Sequence, residues 1–273
     1  MTTIKSFMES ISGTNRIFVN SEKSTMENSA VTFRGTGNIL YVEDGVVLAD
    51  SKIDFFGDNG LMYISQNRYK VYVEVMISAN CTIFLGNNNY FNTRLSIIVG
   101  ERENVLIGNN GLFSHGISIR TADPHLLYSV RTRERINYSK SVLIGDHVWI
   151  GQQVLIIKGT QIGSGAIVGG GAVVPGKKIP SNTSWGGNPA RLLKEDVFFT
   201  GGCVNAWDEE MTRSKSRYEP DDFIYHKPAF HVKSLEEINN NLKEHKTAED
   251  RLKCIQELLV KVEDKNRFYI SGE

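Results

Sequence analysis

The feature that most constrains the fold of this chain is an aliphatic, β-branched residue at every sixth position, with glycine-rich sequence between. Six is a multiple of the two-residue repeat of a β-strand, so these side chains can all point to one side of short strands. Glycine between them suits tight corners. The residues that follow this spacing are Ile144, Ile150, Ile156, Ile162, Val168 and Val174.

Three such units make a triangular coil of about eighteen residues, and stacked coils pair their strands in parallel. The pattern is weaker upstream, where Asn-rich segments at 86–92 and 107–111 tolerate the positive φ angles of sharp corners. We expect about eight coils over residues 38–185. An ordinary β-sandwich is the alternative, but the NG and DG dipeptides of hairpins are absent from 144–174. The upstream members of the pattern are Val71, Ile77, Ile83, Leu95, Ile107, Phe113 and Ile119.

Composition excludes several classes of protein. Lys plus Arg and Asp plus Glu are balanced at 31 each, which argues against a nucleic-acid-binding protein. No apolar run has the length of a signal peptide or a membrane span, so we expect a cytoplasmic protein without stable membrane insertion. Cys81, Cys203 and Cys254 are far apart and form no CxxC pair, which argues against disulfides and a cysteine zinc site.

The six-residue register fails over about residues 120–141, a polar segment that is too long for one side of a coil. It must form a loop, and loops on a rigid scaffold are where chemistry is usually placed. The segment contains His125, and an imidazole titrates near neutrality, as a general base requires. It also contains Arg120, Arg131 and Arg133, which would suit an anionic substrate or merely form a solvated loop.

Four further segments carry a specific resemblance: VWIG (148–151), IGSGAIVGGGAVV (162–174), IPSN (179–182) and GNPARLL (187–193). With His125 before them, they resemble the hexapeptide-repeat acyltransferases. The resemblance covers about 38–195 and implies an all-β solenoid, a left-handed parallel β-helix, whose handedness comes from the resemblance alone. TADPH, SKSVLIGDHVWIG and SNTSWGGNPARLL are most similar to O-acetyltransferases of bacterial capsular polysaccharides, including those acting on polysialic acid.

The resemblance implies transfer of an acetyl group from acetyl-CoA to a sugar hydroxyl of a capsular or other surface polysaccharide, such as one that contains sialic acid. His125 matches the catalytic base, and Trp149 matches a tryptophan that lines the site. Asp123 is the acidic residue nearest to His125 in sequence, but no acidic partner for the imidazole is clear. The arginines of the loop are then candidates to bind the acceptor.

The coenzyme is expected to contact residues after Trp149. Gln152 and Gly170 match positions that bind the pantetheine arm, and glycine allows close backbone approach. The resemblance also implies a homotrimer that needs no metal. Lys177, Lys178 and Arg191 resemble the basic group near the nucleotide phosphates, although an extra residue in VVPGKKIP leaves Pro175, Lys177 and Lys178 as alternatives.

Two other functions are compatible with the same fold. One is a non-catalytic carbohydrate-binding protein. The other is a zinc carbonic anhydrase, which needs three histidine ligands. His115, His125 and His147 are its candidates in the coil region, but they lack the short paired spacing of such ligands.

The tail after residue 195 changes to helical periodicity. Ser234 to Glu237 and Thr247 to Asp250 are capping-box patterns that predict two helices, the second over about 248–263. Such a helix could cap an open end of the coil stack. We therefore divide the chain into an N-terminal segment (1–37), the β-helix domain (38–195) and a C-terminal connector with a helical extension (196–273).

Overall fold

The computed structural model describes residues 1–11, 13–262 and 264–272. Short strands stack into three parallel sheets that form the faces of a triangular prism. In chain order the strands are β1 (Thr2–Ile4), β2 (Arg16–Phe18), β3 (Thr25–Glu27), β4 (Ala30–Phe33), β5 (Ile39–Val42), β6 (Val47–Ala49), β7 (Lys52–Phe55), β8 (Leu61–Ile64), β9 (Val73–Ile77), β10 (Thr82–Leu85), β11 (Tyr90–Phe91), β12 (Leu95–Val99), β13 (Asn104–Ile107), β14 (Leu112–Phe113), β15 (Ser118–Arg120), β16 (Val142–Ile144), β17 (Trp149–Ile150), β18 (Leu155–Ile157), β19 (Gln161–Ile162), β20 (Ile167–Val168), β21 (Val173–Pro175), β22 (Lys178–Ile179), β23 (Ser184–Gly186) and β24 (Arg191–Lys194).

The three faces and their edges serve to locate every site below. Face 1 contains β4, β7, β9, β12, β15, β18 and β21, and face 2 contains β2, β5, β8, β10, β13, β16, β19 and β22. Face 3 contains β3 and β6 and then β11, β14, β17, β20 and β23. The chain passes from face 2 to face 3, face 1 and face 2 again, which defines a 2/3 edge, a 3/1 edge and a 1/2 edge. The antiparallel strands β1 and β24 complete the ends of faces 1 and 3.

The six-residue pattern forms the core of the prism, as predicted. Ile144 stacks on Ile162, Ile150 on Val168 and Ile156 on Val174, in parallel register. All six side chains are fully buried. One inward aliphatic side chain per strand and per coil therefore supplies the apolar burial that stabilises the stack.

The upstream coils are longer than the predicted eighteen residues. Ile53, Val75, Ile97 and Ile119 occupy equivalent positions and are each 22 residues apart. The extra residues lengthen the strands of faces 1 and 2: β10 and β12 have four and five residues, against two and three in β19 and β18. Asparagines such as Asn88 and Asn110 occupy the corners, with φ of 54° and 58°. Longer coils mean fewer of them, about seven instead of eight. The parallel sheets also begin at β2, before residue 38 where the sequence pattern places their start.

The C-terminal extension packs on the side of the prism. Its helices are a 3₁₀ turn (Val204–Ala206), α1 (Glu209–Ser214), α2 (Leu235–Glu244), α3 (Ala248–Ile255) and a π turn (Gln256–Val260). Ser234 and Thr247 cap α2 and α3, so both predicted helix starts are confirmed, whereas α1 was not predicted.

The helices α2 and α3 cover face 2 rather than an end of the stack. Their buried side chains, among them Ile238, Leu242 and Ile255, form one apolar cluster with outward side chains of face 2 such as Phe84 and Leu106. Strands β8, β10 and β13 are consequently buried on both sides, which explains their continuous apolar sequences. Among the described residues, no helix combines the length and apolar character that a membrane span requires.

Candidate active site

The loop that carries His125 leaves the prism at the 1/2 edge, between β15 and β16. We call residues 121–141 the insert. Its two arms approach each other through a bridge between Tyr128 and Arg135 and through a hydrogen bond from Ile136 N to Leu127 O. The insert is therefore an ordered projection from the prism, as the break in the repeat predicts, and the side chain of His125 is exposed on it.

The buried side chain of Asn137 holds the base of the insert together. Its amide nitrogen donates to the carbonyl oxygen of His125 at 2.7 Å and to Asp123 at 3.0 Å. Its amide oxygen accepts from the backbone N–H of Leu127 at 2.9 Å. The backbone on both sides of the imidazole is thus fixed by one side chain, which limits the positions that the ring can reach.

Asp123 is engaged by other groups and does not contact the His125 imidazole. Lys158, one coil further along the chain, donates to its carboxylate at 2.5 Å. The hydrogen bonds from Lys158 and Asn137 lower the pKa of Asp123 below its ordinary value. The nearest acidic residue in sequence therefore stabilises the insert instead of orienting the base.

A second clamp joins the insert to the preceding coil. Arg135 donates to both carboxylate oxygens of Glu101, at 2.6 and 2.8 Å, and Ser139 donates to the same carboxylate. The hydrogen bonds from Arg135 and Ser139 lower the pKa of Glu101 to about 2. A bidentate pair of this kind gives a fixed geometry, so the insert has a defined orientation.

The arginines predicted to bind the acceptor remain available on the same edge. Arg120, Arg131 and Arg133 are exposed, and within the described part of the chain none of them forms an ion pair. Arg135 differs, because Glu101 neutralises it. The three unpaired guanidinium groups give this edge a local positive charge in a protein of zero net charge.

The residues predicted to bind the coenzyme lie mainly on the opposite border of face 1. Gln152 and Gly170 are exposed and stacked at the 3/1 edge, where Gly171 N donates to Gln152 O at 2.7 Å. Trp149 points outward from face 3 and is 39 % exposed, so it is not a core residue. Arg191 is exposed at the start of β24, beside β23 of the same face.

The two lysines of the predicted phosphate group lie apart from this cluster. Lys177 is at the 1/2 edge, where its carbonyl accepts from Gln161 N, and it is half-buried. Lys178 is on face 2, beside Ser234 and Glu236 at the start of α2. One protomer thus places Gln152, Gly170 and Arg191 on the 3/1 side of face 1, whereas His125 and Lys177 lie on its 1/2 side. Trp149 contacts Phe199, with ring centroids 5.7 Å apart. Face 1 has three-residue strands here, about 10 Å long.

The three histidines considered as zinc ligands lie at three different edges. His115 is at the 3/1 edge, His125 at the 1/2 edge and His147 at the 2/3 edge. The His147 ring is buried between Phe199 and Phe223, with centroids 4.1 and 4.5 Å away, and donates to the Phe199 carbonyl. Burial lowers the pKa of His147. A single protomer therefore does not bring these imidazoles together.

The residues that sequence reasoning missed are those that fix the insert: Asn137, Lys158, Arg135 with Glu101, and Ser139. Asn137 bonds within the insert, over 10 to 14 residues, whereas Lys158, Arg135 and Ser139 bond to residues one coil away in space and 34 to 38 residues away in sequence. Periodicity identifies inward side chains and gives no signal for such contacts. Only the polar character of the insert pointed toward this region.

Comparison of the sequence and the fold with known proteins identifies the class to which the repeat points. Residues 141–176 match the family described as "Bacterial transferase hexapeptide (six repeats)". The resemblance to hexapeptide-repeat acetyltransferases is therefore confirmed, and with it the left-handed parallel β-helix with C-terminal helices.

Particular relatives agree with this class. A 35-residue stretch is 51% identical to the polysialic acid O-acetyltransferase of Neisseria meningitidis, and it covers 13% of this chain and 16% of that protein. The crystal structure of the polySia-specific acetyltransferase NeuO matches 74% of this chain and 96% of its own, with 26% identity and a TM-score of 0.63. The polysialic acid O-acetyltransferase OatWY matches 73% of this chain and 95% of its own, with 24% identity and a TM-score of 0.59, which shows the shared fold.

Proposed function

We propose that this protein is an acetyl-CoA-dependent O-acetyltransferase whose acceptor is a hydroxyl of a sialic-acid-containing surface polysaccharide. The observation that carries the proposal is the clamped insert, which presents an exposed imidazole beside unpaired arginines on a hexapeptide-repeat β-helix. The names of the similar proteins support transfer of an acetyl group and a polysialic acid acceptor.

In this proposal His125 removes the proton from the acceptor hydroxyl as the oxygen attacks the thioester carbonyl. The C–S bond breaks and CoA leaves as the thiol, having received a proton. General-base assistance of this kind contributes about 10²- to 10⁴-fold in rate. Acetyl-CoA would supply the acyl group, and the exposed Gly170 corner permits close approach of an extended arm to the backbone. Arg191 would offer its charge to the phosphates.

We also propose that the active unit is a homotrimer in the cytoplasm. One protomer holds the imidazole and the coenzyme residues on opposite borders of face 1, so a neighbour is needed to bring the two groups together. The insert supports this assembly because its large apolar side chains are more than half exposed, which marks interaction surfaces. These side chains are Leu126, Leu127, Tyr128, Val130, Ile136 and Tyr138.

Release of CoA in the presence of polysialic acid, together with the mass gain of one acetyl group per transfer, tests the activity. His125→Ala should lower kcat by about 10²- to 10⁴-fold with little change in the KM for acetyl-CoA. His226→Ala is the matched control, since His226 is also exposed but lies in the C-terminal connector. Full activity of His125→Ala would remove this histidine from the mechanism, and binding of saccharide without CoA release would indicate a non-catalytic binder.

Mixed trimers test the shared site. His125→Ala and Gly170→Phe are each expected to be inactive, the second because the new side chain fills the 3/1 corner. If one protomer supplies the base and its neighbour the coenzyme corner, random re-assembly of the two variants leaves about one quarter of the interfaces intact. Activity should then return to about one quarter of the wild-type value. A site within one protomer would give no recovery.

The carbonic anhydrase alternative has less support from this protomer, because its three histidines lie at separate edges. Zinc content and CO₂ hydration of the purified protein test it directly. Stoichiometric zinc with rapid CO₂ hydration would replace the acetyltransferase proposal.

A further inference from the structure

A cavity of about 520 Å³ lies at the 2/3 edge, between the coil corners and the C-terminal extension. Its size is within the ~300–1,000 Å³ range of small-molecule sites. Asn87, Asn88 and Asn110 line the corner side, and Phe223 and Lys265 line the side of the extension. The residues assigned above to catalysis or coenzyme binding do not line it, and face 2 separates it from the insert.

Two tyrosines form an exposed aromatic wall of this cavity. The rings of Tyr69 and Tyr90 meet edge to face, with centroids 5.2 Å apart. The guanidinium of Arg68 lies 4.9 Å over the Tyr69 ring, and Tyr90 remains 38 % exposed. These contacts restrict both rings, so the wall is formed before any ligand arrives. An amphipathic ring of this kind can pack on the C–H side of a sugar and hydrogen-bond at its hydroxyl.

Amide side chains lie next to the aromatic wall. Asn88 and Asn110 occupy corner positions with positive φ. In the described part of the chain, the side-chain amides of Asn87 and Asn110 form no hydrogen bond with protein, although both line the cavity. Each amide offers two donor hydrogens and an acceptor oxygen, a combination that suits neighbouring hydroxyl groups.

The charges of the cavity are balanced. Arg68 and Lys265 are matched in number by Asp222 and Asp264, while Asp146 and Arg267 neutralise each other in a buried ion pair. A polyphosphate or a nucleic acid would need an excess of positive charge, which is missing from this lining. Aromatic surface with amides is instead suited to sugar rings and hydroxyls, and Arg68 and Lys265 are placed for single carboxylates of an acidic saccharide.

We propose that this cavity is a second saccharide site, which holds a segment of the acceptor chain remote from the hydroxyl that reacts. The inference rests on the proposed function, because a remote subsite is useful for a polymeric acceptor. It predicts that long acceptors gain affinity from the cavity, whereas short acceptors bind at the insert alone.

The test measures acetyl transfer by wild-type protein and by Tyr90→Leu. Each enzyme is given two acceptors, disialic acid and long polysialic acid fragments. Leucine keeps the apolar bulk and removes the aromatic ring and hydroxyl. The KM for long fragments should rise about fivefold, which corresponds to about 1 kcal/mol. The KM for disialic acid and for acetyl-CoA, and kcat, should stay unchanged. Phe56→Leu is the matched control, since Phe56 is an exposed aromatic residue outside the cavity.

Calorimetric binding of the same fragments without acetyl-CoA makes the result independent of turnover. Weaker binding of long fragments by Tyr90→Leu, with Phe56→Leu unchanged, supports the second site. Three results would overturn the second site. Wild type and Tyr90→Leu could bind long fragments with equal affinity, Tyr90→Leu could lose the same affinity for both fragment lengths, or wild type could bind neither fragment. Wild-type protein that binds long fragments in this ring-dependent way but transfers no acetyl group would contradict the proposed activity and leave the site supported.

Discussion

A buried ion pair between Arg267 and Asp146 adds to the apolar contacts that attach the C-terminal extension, and replacing Arg267 with methionine should show how much it contributes. Arg267 Nε and Nη2 donate to the Asp146 carboxylate at 3.0 and 3.1 Å. Its Nη1 also donates to the carbonyls of Leu259 and Val262, at 2.8 and 2.6 Å. The side chains of Arg267 and Asp146 are 3 % and 9 % exposed, so solvent replaces little of what the substitution removes.

The expected cost follows from the groups left behind. Arg267→Met leaves the buried carboxylate with one remaining donor, Asn109 N at 2.6 Å, and deprives two carbonyls of their partner. Loss of one member of a buried pair costs about 3–5 kcal/mol. Removing both charges in Asp146→Asn/Arg267→Met should cost less than half as much, because no unpaired charge remains.

Equilibrium unfolding in urea measures these free energies, and hydrogen exchange of α2 and α3 shows where the loss is expressed. We expect faster exchange in the two helices and in the 145–147 corner before the coils themselves open. The matched control is Arg213→Met, which breaks an exposed pair with Glu209 and should change stability by less than about 1 kcal/mol. A loss below about 1 kcal/mol for Arg267→Met, or a double variant as unstable as the single one, would refute the reasoning.

Two further predictions concern the insert. Asn137→Ala unpairs the His125 carbonyl and Leu127 N–H. Because small misplacements of a catalytic group slow the reaction, this variant should lower kcat by up to about 10²-fold and leave the KM for acetyl-CoA nearly unchanged. The control is Asn240→Ala, at an exposed position of α2. A raised KM with unchanged kcat would contradict this prediction. The clamp at Glu101 should also respond to pH, because its pKa is about 2 in the folded protein and about 4.3 when unpaired. The clamp therefore stabilises the insert fully above about pH 4.3, and this stabilisation is lost as pH falls toward 2. After correction for the intrinsic pH dependence of exchange, the backbone amides of the insert should exchange faster at pH 3 than at pH 5. Glu101→Gln should remove that difference.

Sequence reasoning predicted those parts of the fold in which each strand carries one recognisable inward aliphatic residue. The aliphatic residue at each sixth position reports the inward side of a coil directly, so 144–174 was read correctly. Strand length has no such signal, since an inward aliphatic residue marks a strand without fixing where it ends. The upstream coils, whose strands on face 1 reach five residues, were therefore predicted too short. The double burial of face 2 was visible in apolar runs such as LMYI and TIFL, although their partner could not be inferred from local sequence.

The site was predictable to a smaller extent for a related reason. The break in the repeat pointed to the segment of His125, whose catalytic role stays a prediction. Most contacts that hold this segment join different coils. Lys158 reaches Asp123 across 35 residues, and Arg135 reaches Glu101 across 34. Stacking converts these sequence separations into neighbouring positions, so such pairs become visible only once the register of the coils is known.

The C-terminal extension also decides which surfaces are left for assembly. Helices α2 and α3 occupy face 2, and Phe199 and Phe223 cover the 2/3 edge around His147. Face 1 and its two borders are not covered in this way. These borders carry the insert on one side and the Gln152 and Gly170 corner on the other, and the strands between them present half-exposed apolar residues such as Leu155, Ile157 and Val173. In the proposed trimer, a neighbouring protomer that packs near face 1 would bury this apolar surface and bring its Gln152 and Gly170 corner close to the His125 imidazole in the same step.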